Sequence, residues 1–374
     1  MTKHLGVMTM LAAFALAACQ PDQAITSPLI GSGGPRSATG DASPGAVYTL
    51  TNQAGGNAVA IFARGADGSL TAAGTVPTGG TGAGAALGSQ GAVALSDDGR
   101  WLVAVNAGSN DVSAFRVGPQ GLSLTSRAPS GGTQPISVAV HGNLIYVLNG
   151  GGAGNISALT LDQEGNLAAL AGSTRPLSGA NVGPAQVSFS PNGESLVVTE
   201  KTTNLVDVYA LDKSGLATGP ASFGSGGATP FGFAFGNNNE LFVSEAGGSA
   251  SSYVLGANGK LSPISVAVAT NQGAPCWVVV TRNGKFTYTA NAQGGSISGF
   301  TVGQDGSIAL LDPSGATAVV GAGATDLALS ENSEFLFDLV GTNIVAFRVQ
   351  PDGHLTPVSS AGGLPAGTVG LAAR

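Results

Sequence analysis

Glu200 and Glu245 are the residues of this sequence best suited to move a proton. Charge is otherwise sparse, with 9% charged residues, 14 Lys and Arg, 21 Asp and Glu, and a net charge of −7. Two neighbouring carboxyls share a proton or a cation, and one with a raised pKa serves as general acid or base near neutral pH. Asn106, Asn149 and Asn291 stand at places in the chain equivalent to those of the two glutamates. Gln134, Gln186, Phe231, Trp277 and Asp326 stand at or beside the starts of short apolar stretches just upstream. Amides offer a hydroxyl both donor and acceptor, and an aromatic face covers the apolar side of a ring. The ten together suit a small polyhydroxy ligand. Each also has a plainer use. Recurrent Asn suits turns, Phe231 and Trp277 suit a wedge between inner strands, and the glutamates suit a solvated rim.

Other chemistry is thin. The sequence has no EF-hand loop or other metal spacing, no Gly-x-Ser-x-Gly elbow and no phosphate-binding loop, so no metal or cofactor is expected. His4 lies near the start, and His141 and His354 lie in turns. The acidic balance, without a basic run, excludes nucleic acid as a partner. Of the two cysteines, Cys276 is expected to be a buried inert thiol and Cys19 has another use.

The elements that must position these residues come from a repeat. A strand, a polar turn, a second strand and a turn ending in Gly recur seven times from residue 47, as in WLVAVNAGSNDVSAFRVGPQGLSL (101–124) and FTYTANAQGGSISGFTVGQDGSI (286–308). The turn glycines are Gly68, Gly121, Gly165, Gly215, Gly259, Gly306 and Gly353, spaced by about 47 residues. A small-residue apolar strand precedes six copies, as in QVSFSPNG (186–193) and WVVVTRNG (277–284). The first copy lacks it, and TVGLAAR (368–374) supplies it from the other end. A chain whose last strand completes its first unit closes into a ring and leaves no bare sheet edge. The expectation is an all-β, seven-bladed β-propeller over 46–374 with the inner strand of each blade lining an axial channel.

The repeat resembles the lactonase-type seven-bladed propellers, which include propeller 6-phosphogluconolactonases and carboxymuconate cyclases, over about residues 46–374. PFGFAFG (230–236), VSEA (243–246), SSY (251–253) and APCW (274–277) are similar to a secreted branch of that family. The resemblance implies an Arg and a His after Gly-Pro on one inner strand and a Glu at the end of the next. Here those places hold Ala185, Gln186 and Glu200. An amide does not exchange a proton near neutral pH as imidazole does. The first reading is therefore a propeller that binds a small polar ligand or an envelope protein. The alternative is a lactone hydrolase or cyclase acting on a sugar-acid lactone, with Glu200 and Glu245 or Asp326 as acid and base.

The N-terminus is an address. Residues 1–18 have a polar start at Lys3 and His4, then an apolar run from Leu5 to Leu16 too short to span a bilayer. Leu16-Ala17-Ala18-Cys19 resembles a bacterial lipobox, which implies a lipid on Cys19. Plain secretion, with cleavage after Ala15–Ala17, is the alternative. Residues 19–45 are a Ser-, Gly- and Pro-rich tether. The expected location is the bacterial cell envelope, anchored in the outer membrane because Gln20 rather than Asp follows the cysteine.

Overall fold

The computed structural model describes residues 44–374, and every regular element among them is a β-strand. The strands form seven antiparallel sheets, five of four strands and two, in blades three and six, of five because the outermost position is split between two short strands. The innermost strands of blades two to seven are Val93–Leu95, Pro135–His141, Pro184–Phe189, Pro230–Phe235, Pro275–Val280 and Ala324–Leu329. Four of them start with proline. A strand's first residue tolerates proline because its missing N–H falls outside the ladder.

The ring closes as the displaced repeat predicts. Val369–Ala373 is the innermost strand of blade one and pairs with Gly45–Leu50, setting Val47 opposite Ala373 and Thr49 opposite Leu371. Backbone bonds between Ala46 and Arg374 extend the seam.

The core lies between blades, where both faces of each sheet are covered. Tyr146, Tyr209 and Tyr288 are fully buried there, and burial raises each phenol's pKa. Their hydroxyls still find partners: Tyr146 donates to the Gly215 carbonyl at 2.8 Å and Tyr288 to that of Gly353 at 2.7 Å. All seven repeat glycines have positive φ. At Gly353 (φ +88°) a Cβ would also stand 2.5 Å from the Phe286 ring of the preceding blade. This turn thus needs glycine for its backbone and for the neighbouring blade.

Inner strands of blades three to seven share a bulge after their first or second residue. The bulge leaves Ile136, Ala185, Cys276 and Asp326 outside the pairing register, so blade seven carries a carboxyl where blade four has Ala185.

Candidate functional site

The inner strands surround an axial cavity of about 500 Å³. Gln90 and Gly91 stand at one end of it, and Asp97, His141 and Pro191 line the other. Between them lie mostly aliphatic walls with Gln186 and Asp326. A neighbouring hollow of about 350 Å³ shares Gln90 and Gln186 and is walled by Phe233, Phe235 and Val278–Val280. Two residues singled out by the sequence, Gln186 and Asp326, thus meet at the axis.

The set at the ends of the second strands does not. Asn106, Asn149, Glu200, Glu245 and Asn291 are all completely buried, and none lines the cavity. They are neither a ring around the channel mouth nor a solvated rim. Four of them tie their blade to the connector leading into it. Asn106 accepts from Thr78 Oγ1 at 2.6 Å and donates to Asp111 and Ser113. Asn149 donates to the Ser130 carbonyl, Asn155 and Ser157. Glu200 accepts from the Ser178 backbone N–H at 3.0 Å, from the Ser178 hydroxyl, and from Thr203 at 2.7 Å. Glu245 accepts from Ser225, Ser251 and the Gly227 N–H at 2.7–2.8 Å. Asn291 stays within its blade, donating to Ser296 and Ser298. Every lone pair so used is withdrawn from ligand chemistry. Gln134 is exposed in a turn with φ +54°, its N–H donating to Asn110.

One end of the axis is covered by the chain itself. The connector from Leu70–Pro77 to Val93–Leu95 spans residues 78–92, whereas those between other blades run from four to seven residues. Its Gln90 N–H donates to the Ala185 carbonyl at 3.0 Å. The Gln90 side chain brackets Val278, donating to its carbonyl at 2.7 Å and accepting its N–H at 2.9 Å. Trp277 Nε1 donates to the Ser89 carbonyl at 3.0 Å, and Lys201 Nζ donates to that of Gly88. Phe231 and Trp277 are buried edge to face, 4.9 Å apart. Gln186 brackets Phe233 as Gln90 brackets Val278, at 3.0 and 2.7 Å. Sequence reasoning missed Lys201 and this strap. The signal was present in the six glycines of TGGTGAGAALGSQGA (78–92) and in the length of that stretch.

Electrostatics single out two carboxyl pairs. Burial pushes Asp326 up to about 7, with the Gly370 N–H, 2.7 Å from Oδ2, opposing it. Asp338 on the adjacent strand is driven well above the usual carboxylate range, by burial first and then by Asp326. In blade four Asp207 takes the place that Ser113, Ser157, Ser251 and Ser298 hold elsewhere, facing Glu200. Burial, then Glu200, push Asp207 up to about 7. Among the described residues no three Asp, Glu, His or Cys groups converge as a metal site would require. Cys276 is fully buried and is not a free thiol, contrary to the sequence expectation. Cys19, the leader 1–18 and residues 19–43 of the tether lie outside the described residues.

A family model described as lactonase, 7-bladed beta-propeller, matches residues 23–176 and 226–326. No curated protein matches the sequence. Among solved structures, a putative 6-phosphogluconolactonase from Bacteroides fragilis is similar at 19% identity and TM-score 0.69, covering 91% of this chain and 100% of that one. A protein from Lactobacillus plantarum is similar at 17% identity and TM-score 0.71, over 89% of this chain and 100% of its own. The periplasmic gluconolactonase of Pseudomonas aeruginosa is similar at 18% identity and TM-score 0.65, over 87% and 99%. At these identities the likeness is one of fold.

Proposed function

The chain belongs to the family of lactonase-type seven-bladed β-propellers, and from that premise we propose that it is a binding propeller which holds a small polar ligand in its axial cavity. The observation that carries this reading is the state of Gln186, which stands where the resemblance implies a histidine. Both polar atoms of its amide are bonded to the Phe233 backbone. Ala185, at the arginine's place, presents a carbonyl already taken by Gln90. Glu200 is engaged by Ser178 and Thr203. The family's proton-transfer position has thus become part of the scaffold, while a cavity of monosaccharide size persists beside it.

One observation favours hydrolysis as a second reading. Asp326 lines the cavity, and its carboxyl is pushed up to about 7, where an acid or base works near neutral pH. One experiment separates the two. The protein is screened against sugar acids, their lactones and neutral sugars, with melting temperature and lactone hydrolysis followed together, in the parent and in Asp326→Asn. Stabilisation by a ligand without turnover, weakened in the variant, supports binding. Turnover that Asp326→Asn abolishes replaces it with the hydrolase. If no compound stabilises the parent or is consumed, both readings fall.

The location proposed is the bacterial envelope, with a lipid on Cys19 holding the propeller at the outer membrane, where it meets small ligands or envelope proteins. A thioether to a lipid and a disulfide are exclusive uses of one cysteine sulfur. Intact mass of the protein from membranes, with and without reductant, distinguishes them. A diacylglyceryl increment that reductant leaves in place is expected. An unmodified mass, or one that changes only by reduction, removes the anchor.

A further inference from the structure

The strap at the covered end of the axis does more than join two blades. At Gly88 and Ser89 it presents two successive peptide carbonyls to two donors, one a cation. Lys201 Nζ donates to the first and Trp277 Nε1 to the second. The ammonium also stands 5.0 Å from the centroid of the Phe231 ring, which packs edge to face on Trp277. No ion pair among the described residues involves Lys201. Burial alone pulls its pKa down to about 8, with no carboxylate opposing the shift. A half-buried ammonium served by a carbonyl dipole is only partly compensated, because the carbonyl supplies no opposite charge.

We propose that Lys201, Trp277 and Phe231 form a second binding pocket, for a small hydroxycarboxylate, and that residues 88–90 fill it as an intramolecular stand-in. A carboxylate replaces the two carbonyls on the Lys201 and Trp277 donors, and its carbon skeleton lies over the aromatic pair. Ligand and strap compete for the same donors. The strap is held by Gln90, whose amide makes two bonds to Val278, and by its own six glycines it is able to take another path once released. This pocket lies at the opposite end of the axis from Asp97 and His141 and does not depend on the binding proposed for the open cavity.

The test is calorimetric titration of the full-length protein with gluconate, and with glucose as its uncharged counterpart. Gln90→Ala, which loosens the strap, is expected to bind gluconate at least tenfold more tightly than the parent and glucose no better. Adding Lys201→Met is expected to erase that gain, and adding Asp326→Asn to leave it. A folded Gln90→Ala protein without the gain, or a gain that survives Lys201→Met, overturns the proposal. A gain lost with Asp326→Asn assigns gluconate to the open cavity and overturns it too. Lysine acylation by acetic anhydride, mapped by mass spectrometry, needs no variant. Saturating gluconate is expected to slow modification of Lys201 in the parent at least threefold, and an unchanged rate counts against the pocket.

Discussion

The covered end of the propeller axis and the cavity beneath it are built from the same seven inner strands and have opposite character. At the covered end polar atoms are matched: Gln90 to Val278, Trp277 to Ser89, Lys201 to Gly88. In the cavity beneath it, the walls are mostly aliphatic and Asp326 faces inward with Asp338 behind it, both held toward their protonated forms by burial. Symmetry of the repeat cannot produce this difference. It comes from one overlong connector over the axis and from one bulged position in the cavity wall, where blade seven carries Asp326 and blade four carries Ala185. In a ring of near-equivalent blades, chemistry resides in departures from the repeat.

The largest expected effect comes from removing part of the cavity's wall. Deleting residues 366–374 takes away Val369–Ala373, including Leu371, Ala372 and Ala373 of the cavity lining, and the Gly370 N–H that holds Asp326. Lost ladder bonds and the exposure of Val369 and Leu371 destabilise by roughly 5 kcal/mol or more. Thermal unfolding of the truncated protein checks this. A melting temperature within two or three degrees of the parent sinks the account of closure.

A smaller effect sharpens the contrast in charge. An Asp326 carboxyl near 7 in the fold, against about 3.9 in the unfolded chain, favours the unfolded state once it ionises. Its contribution to stability is fully present below pH 4, declines as pH rises, and is lost above 7. Asp326→Asn keeps an oxygen for the Gly370 N–H and removes the titration. It is expected to gain on the order of 2–4 kcal/mol relative to the parent between pH 4 and pH 8. Denaturant unfolding at pH 4, 6 and 8 reads this directly. A difference between the two proteins that does not change with pH refutes the assignment.

Much of the fold was legible. Gly68, Gly121, Gly165, Gly215, Gly259, Gly306 and Gly353 mark turns that all require positive φ, and TVGLAAR announced the seam with Gly45–Leu50. The candidate site was less so. Gln186 and Asp326 reach the axial cavity, but Asn106, Asn149 and Asn291 recur because each fastens polar partners in its own blade, and the glutamates took over that duty in blades four and five. Position in the repeat told which end of a strand a residue occupies. It did not tell whether the side chain turns to the axis or into the adjoining loop.

Sequence alone determined the seven blades, their order and the closure. Those follow from local rules: alternation makes strands, glycine makes turns, and a missing strand at one end must be met at the other. Only the tertiary structure decided that residues 78–92 fold back over the axis, that Lys201 finds a carbonyl there in place of a carboxylate, and that Asp326 and Asp338 lie together away from water. The first two depend on contacts between segments more than a hundred residues apart, and the third depends on burial. Neither is encoded in the type or spacing of neighbouring residues, because a pKa or a ligand cavity belongs to the packed ring and to no single blade.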